Sequence, residues 1–412
     1  MKPKCLTADI INSLPDNIID TILCLVPIKD AVRTSILSKN WRYNWNKIPK
    51  LVFKEKDMFD ASTVKDHNKE DEDDKNAEII ELHFEDINGK CKICNVVHQV
   101  LIMHDGVISE FTLSMKSPHD KCYDEIDKII TYLSRKNTVK KFTLEMEFDI
   151  RGTTDSWYKL PLSVFALHQL TDLYLENCHL NLLSTVNGFA CLTSLCLNNV
   201  VFSTEMVIHL LSKCPLLKSF SLGMVNCIEI DSFNLAFMCE LFGCLPAIAH
   251  LDIYNLSYWL HKSKFALPEL PTPMVHLKSA HLPASCFIGE NGMSFAVNFI
   301  RNSPNLEILK LHEVIGKYKN EKSERDYLML TENSDIRLER LKELEFKVRQ
   351  WMPELKFVKL ILAKSPMLKK VKITFHQRYY KDNVLRVLKA FSETPHASQM
   401  IELVDEVVSV DD

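Results

Sequence analysis

LTDLYLENCHL, Leu170 to Leu180, is the stretch whose reading decides the fold. Leu170, Leu173 and Leu175 are apolar, and from Leu173 to Glu176 apolar and polar residues alternate. Alternation with period two puts Leu173 and Leu175 on one face of a strand. Working outward, the same spacing returns: an apolar residue, two others, an apolar residue, one other, an apolar residue. Upstream it stands at Ile108/Phe111/Leu113 and Val139/Phe142/Leu144. Downstream it stands at Leu192/Leu195/Leu197, Leu217/Phe220/Leu222, Ile248/Leu251/Ile253, Leu277/Ala280/Leu282 and Leu306/Leu309/Leu311, then at Leu341/Leu344/Phe346 and Leu368/Val371/Ile373. Successive copies start 31, 31, 22, 25, 31, 29, 29, 35 and 27 residues apart.

Helical stretches lie between many copies: Asp124–Asn137, Thr204–Cys214, Phe233–Leu245 and Met293–Asn302. A strand and a helix in every 22 to 35 residues is a leucine-rich-repeat arrangement. Each unit exposes an apolar edge that only the next one buries, so the expected fold is α/β, a curved solenoid with a parallel sheet on one side. Cys178 falls on the Asn/Cys position of that repeat, whereas Val200 and Val314 stand there in other copies. An ordinary doubly wound α/β domain also alternates strands and helices. Against it, the chain has only nine glycines, and none of its strands runs through a glycine-rich turn into a helix.

The C-terminal part, Arg337 to Phe375, reads RLERLKELEFKVRQWMPELKFVKLILAKSPMLKKVKITF. The pattern predicts a strand, a helix from about Pro353 with Leu355, Val358 and Leu362 on one face, a stop at Pro366, and a strand over Leu368–Phe375. A helix over Lys381–Glu393 and a short strand in SQMIELVD, Ser398 to Asp405, would close the array as a cap. Lys364, Lys369, Lys370, Lys372, Arg378 and Lys381 are read as a solvated face. With no aromatic interleaving and a net charge of −4, no nucleic-acid role is assigned.

Lys54 to Glu78 contains 10 acidic and 5 basic residues and is read as an acidic linker. No apolar run is long enough to span a membrane, and the N-terminus lacks a signal-peptide pattern, so no membrane partner is expected. The 13 cysteines are scattered, and Cys178, Cys196 and Cys214 sit at apolar positions. They are expected as reduced core thiols in cytoplasm or nucleus. Cys91 and Cys94 form a lone CxxC with His98 close by. Two further zinc ligands at motif spacing are missing, and Val96, Val97, Val100 and Leu101 continue an apolar helix, so these thiols are expected to pack. Nucleophile-elbow, HExxH, phosphate-loop and dinucleotide motifs are absent, and no enzyme activity, cofactor or metal is expected. Trp157, Tyr158, Trp259 and Tyr379 are either surface anchors or core.

Asp9 to Phe53, DIINSLPDNIIDTILCLVPIKDAVRTSILSKNWRYNWNKIPKLVF, has a different character. Ser13 can cap a helix with Pro15 in its first turn. Ile18, Ile22 and Leu25 recur on one face, and Ile19, Leu23 and Val26 follow one residue behind, giving a wide apolar stripe. Pro27 ends that helix. Asp30 can cap a second through Ala31, Val32, Ile36 and Leu37, and Ser38 a third presenting Trp41 and Trp45. Three short helices without a disulfide or metal lean on a partner, which periodicity leaves open as either this chain or another protein.

LPDNIIDTIL followed by VPIKDAVRTSILSKNWRYNW resembles the F-box, in the form found in plants. Asn40 departs from it, standing where that family more often has a basic residue. LKFVKLILAKSPMLKKVKI resembles the FBD region that follows F-boxes in plants. The resemblance implies an F-box over residues 9–53, an acidic linker over 54–78, a leucine-rich-repeat solenoid over 79–336 and an FBD-like cap over 337–412. It implies that Leu14, Pro15, Ile18, Ile22, Leu25 and Pro27 contact a Skp-type adaptor, with Leu37, Trp41 and Trp45 divided between that contact and the module's own packing. Through the adaptor it implies cullin and RING subunits, with a client protein on the repeats. A regulatory scaffold outside a cullin ligase and a ligand-dependent receptor remain open beside that role.

Overall fold

The computed structural model describes residues 14–37, 41–59, 91–116, 120–147, 157–180, 188–223, 235–254, 273–283, 298–312, 337–348, 361–376 and 401–406. The chain divides into two compact units, Met1–His179 and Leu180–Asp412.

The first unit begins with α1 (Asp16–Leu25) and α2 (Ile28–Arg33), then 3₁₀ turns at Thr34–Ile36 and Asn44–Lys47. Strand β1 (Lys50–Lys54) follows, with α3 (Glu55–Met58), α4 (Lys92–Met103), β2 (Glu110–Lys116), α5 (Asp120–Lys136), β3 (Lys141–Glu147) and β4 (Asp172–Glu176). The four strands pair in sequence order, all parallel. The second unit holds β5 (Ser194–Asn198), α6 (Thr204–Ser212), β6 (Ser219–Gly223), α7 (Leu235–Gly243), β7 (His250–Tyr254), β8 (Ser279–Pro283), β9 (Ile308–His312), β10 (Glu343–Val348), β11 (Lys370–His376) and β12 (Ile401–Glu406). Its strands also pair in sequence order and in parallel. Strands stacked in chain order with helices between them are the predicted repeat architecture, since a doubly wound sheet reverses its strand order.

The apolar spacing maps onto the strands one for one. All three apolar residues of every copy are buried, from Ile108, Phe111 and Leu113 to Leu368, Val371 and Ile373. In the first unit the Phe111 ring stacks on Phe142 at 6.0 Å and lies 5.7 Å from Phe53. Register is fixed just before each strand, where one carbonyl accepts two successive N–H groups of the next unit. Pro49 O takes Ser109 N and Glu110 N at 2.8 and 3.0 Å, and Ser109 O then takes Lys140 N and Lys141 N. In the second unit the relay runs through the carbonyls of Thr193, Lys218, Ala249, Lys278, Glu307 and Lys342. Four copies are entered through a turn with proline at its second position: Cys214-Pro215, Leu245-Pro246, Ser303-Pro304 and Ser365-Pro366. In each turn the carbonyl before the proline accepts the N–H of the buried Leu217, Ile248, Leu306 or Leu368, which suits proline's fixed φ. Two copies leave their strand through a left-handed asparagine, Asn177 (φ 55°) and Asn199 (φ 52°). The Asn177 amide also donates to the Met146 carbonyl of the preceding strand.

Several expectations are corrected. The first repeat strand is β1, inside the stretch read as the F-box end. Ile48, Leu51 and Phe53 carry the repeat spacing and are buried, but the next copy follows only after twice the usual interval, so the pattern was hidden. Lys54–Phe59, read as the start of the linker, is strand and helix, with the Glu55 carboxylate accepting from Lys116 N. Residues 60–78 lie outside the described residues. The second N-terminal helix starts at Ile28, not Asp30, because the Pro27 carbonyl already accepts from Asp30 N and Ala31 N. Pro15, not Ser13, holds the N-cap of α1, and Ser13 and Ser38 lie outside the described residues. Trp41 and Trp45 sit on a turn and a 3₁₀ segment, not on a third α-helix. Trp157 and Tyr158 are core, the Tyr158 hydroxyl donating to Asp127 Oδ1 at 2.6 Å, while Trp259 and Tyr379 lie outside the described residues. Of the C-terminal segment, 361–364 is helical and β10 to β12 are formed, whereas 353–360 and the expected helix Lys381–Glu393 lie outside the described residues.

The N-terminal helices are clamped onto the first repeat. Asp105 N and Gly106 N both donate to the Asn46 carbonyl, and a Cβ on Gly106 would stand 2.8 Å from the Lys47 backbone, so only glycine fits this approach. Buried His104 donates from Nε2 to the Ile48 carbonyl at 2.9 Å, which leaves Nδ1 buried with no hydrogen-bond partner. Protonation at Nδ1 would put a cation there with no acceptor. Desolvation accordingly pushes the His104 pKa below 6.5, the Ile48 carbonyl opposing, with Lys136 adding to the shift and Asp105 opposing. A histidine whose folded pKa is lowered gives stability that is complete above the unfolded pKa and lost as pH falls toward the folded one. Thermal denaturation at about pH 7.5 and about pH 5.5 is therefore expected to show a larger loss for wild type than for His104→Gln. Equal losses would mean that His104 does not hold this joint.

Candidate functional site

The N-terminal helices divide their apolar side chains between two faces. Ile19 and Leu23 of α1, Ile28, Ala31 and Val32 of α2, and Trp41, Trp45 and Ile48 are buried together. α1 and α2 pack on each other, and both pack on the 3₁₀ turn that carries Trp45. The opposite stripe of α1 faces solvent: Ile18 is 42% exposed, Ile22 38% and Leu25 81%. Three large apolar residues at i, i+4 and i+7 on an uncovered helix face are costly to hold in water and mark a contact surface.

Two further exposed apolar residues follow α2, Ile36 at 69% and Leu37 at 59%. Sequence periodicity extended the helix through both. The helix instead ends at Arg33, where Thr34 Oγ1 donates to the Ala31 carbonyl and Ser35 Oγ to the Val32 carbonyl, each at 2.6 Å. Hydroxyls bonding back to helix carbonyls tighten the last turn into 3₁₀, which turns Ile36 and Leu37 outward. Ile36 and the part-exposed Val26 were therefore missed as surface residues. The two adjacent threonine and serine hydroxyls, Thr34 and Ser35, were the available signal.

The nine residues named from the sequence fall into three groups. Pro15, Ile18, Ile22, Leu25, Pro27 and Leu37 are exposed, and Leu14 is half-buried. Trp41 and Trp45 are interior and make the floor on which α1 rests. Both prolines are N-caps, Pro15 of α1 and Pro27 of α2, so the fixed φ of each rigidifies the entry of a helix. The surface is thus rigid and apolar with few charges, Asp30 and Arg33 being paired to each other at 3.3 Å. It offers no nucleophile, base or metal set. Among the described residues no group of three or more His, Cys, Asp or Glu is placed to hold a metal ion, and His98 is engaged with Glu125 at 2.9 Å.

An N-terminal helical module with an uncovered apolar face is joined to stacked parallel-strand repeats. The F-box family model matches residues 11–53, and a model described as "FBD-associated F-box protein At5g56370, LRR repeats" matches residues 136–303. The chain is thus similar, over these two segments, to F-box proteins with FBD-associated leucine-rich repeats. Among its relatives is the F-box/FBD/LRR-repeat protein At1g13570 of Arabidopsis thaliana, 27% identical, covering 89% of this chain and 91% of the relative. The FBD-associated F-box protein At5g56370 of the same plant is also 27% identical, over 75% of this chain and 76% of the relative. An internalin structure from Listeria monocytogenes aligns with 76% of this chain and 71% of the internalin at 12% identity, with a TM-score of 0.33.

The two stripes of α1 should separate in stability measurements. Leu23→Ala removes a buried side chain and is expected to cost about 2–5 kcal/mol. Leu25→Ser, on the exposed stripe, is expected to stay within about 0.5 kcal/mol of wild type in urea unfolding. A Leu25→Ser loss as large as that of Leu23→Ala would mean that the outer stripe is covered by this chain.

Proposed function

We propose that this chain is the non-catalytic substrate-recognition subunit of an SCF-type cullin ubiquitin ligase. The observation that carries the reading is the match of residues 11–53 to the F-box together with the uncovered row Ile18, Ile22 and Leu25 in that same segment. F-box modules bind Skp-type adaptors. Here Leu14, Pro15, Ile18, Ile22, Leu25 and Pro27 supply the contact, with Leu37 beside them. Trp41 and Trp45 contribute by holding α1 in place, as expected of interior aromatic residues. Cullin and RING subunits join through the adaptor, and the repeats hold a client protein.

The chain contributes to catalysis by proximity. It brings the client's lysines to ubiquitin chemistry performed on other subunits, which raises their effective concentration without an active site of its own. The reading places it in cytoplasm or nucleus.

Co-expression with a plant Skp-type adaptor and pulldown tests the reading. Wild type is expected to bind. Leu14→Ala/Pro15→Ala and Leu25→Asp are each expected to raise Kd by at least about 30-fold, corresponding to about 2 kcal/mol for a hot-spot position. Folded wild type that fails to bind would overturn the adaptor role. Adaptor binding without recruitment of a cullin would favour the regulatory scaffold.

A further inference from the structure

Three thiols meet where α4 packs against α5. Cys91 is the N-cap of α4, Cys94 is its third residue, and Cys122 belongs to α5. All three are buried, and Cys91 and Cys94 are free thiols. The Cys91 and Cys94 sulfurs are 3.1 Å apart, and Cys122 is a second hydrogen-bond partner of Cys91. In a capping box the N-cap and N3 side chains each reach the other residue's backbone N–H, so side chains at these two positions lie close together. Cys91 has extended backbone (φ −62°, ψ 106°), so its side chain swings toward Cys94 without disturbing the helix. The sulfurs are about 1 Å beyond the ~2.05 Å of an S–S bond.

We propose that Cys91 and Cys94 are a reversible disulfide pair, a redox modification site at the start of α4. With hydrogen peroxide as oxidant, the sulfur of one cysteine attacks a peroxide oxygen. It becomes a sulfenic acid as the O–O bond breaks and one water leaves. The second thiol attacks the sulfenic sulfur, forming the S–S bond and releasing a second water. The two thiols together lose two electrons and two protons, and peroxide is reduced to two waters. The Cys122 hydrogen bond favours the Cys91 thiolate, but the proton shared with Cys94 and burial outweigh it and push the Cys91 thiol up to about 12. Only a small thiolate fraction is present at neutral pH, so the pair oxidises slowly and responds to sustained peroxide.

The test uses the folded full chain, untreated or incubated with peroxide until the exposed Cys191 is oxidised. It is then denatured in iodoacetamide, reduced, and labelled with N-ethylmaleimide before peptide mass spectrometry. Cys91 and Cys94 are expected to move together from the first label to the second in the treated sample, while Cys122 and Cys178 keep the first. A linked peptide two hydrogens lighter is expected before reduction. Retention of the first label by both, a Cys91–Cys122 link, or over-oxidation of one sulfur without pairing would each overturn the proposal.

Discussion

The constraint on which the rest depends is the double acceptance at the head of β2 to β4 and of β6 to β11. A single carbonyl, such as Lys140 O, takes the N–H groups of Thr171 and Asp172, which fixes both where the next strand begins and which way it runs. Because side chains alternate along a strand, a slip of one residue would expose Leu173 and Leu175 and bury Asp172 and Tyr174. Register and core are therefore one choice made again at each repeat. The connecting helices need only be long enough to return the chain, so the interval can vary from 22 to 35 residues while the strands stay in step.

That tolerance explains the N-terminal joint. β1 joins the ladder through Pro49 O, yet the elements described before it are helices and 3₁₀ turns. The helical module is thus joined to the repeats through β1, which pairs with β2. His104, Gly106 and Asn46 close the seam from the other side. A module held this way can spend its inner apolar stripe on its own fold and keep the outer stripe for a partner. Three short helices could not do both if they had to stand alone.

Much of the site was legible because helical periodicity separates the two stripes of α1 by one residue. It could not say which stripe faces in. Trp41 and Trp45 show the difficulty, since aromatic residues are favoured both at interfaces and in cores, and only their packing under α1 makes them interior. Periodicity places Ile36 on the second helix with no face assigned, and the end of α2 at Arg33 leaves it exposed. The CxxC was read as packed thiols, and they are packed. What spacing could not reveal is that Cys122, from α5, closes on the same point.

The sequence by itself determined the repeat, its strands and the order in which they stack, because a buried parallel strand needs apolar residues at fixed short spacing and each copy carries them. It also carried the family resemblance, through motifs that are local in the chain. Tertiary structure alone decided that Lys50–Lys54 belongs to the sheet, that α1 shows Ile18, Ile22 and Leu25 to solvent, and that three cysteines from two helices converge. Each of these rests on contacts between segments, and the spacing inside one segment does not say which other segment covers it.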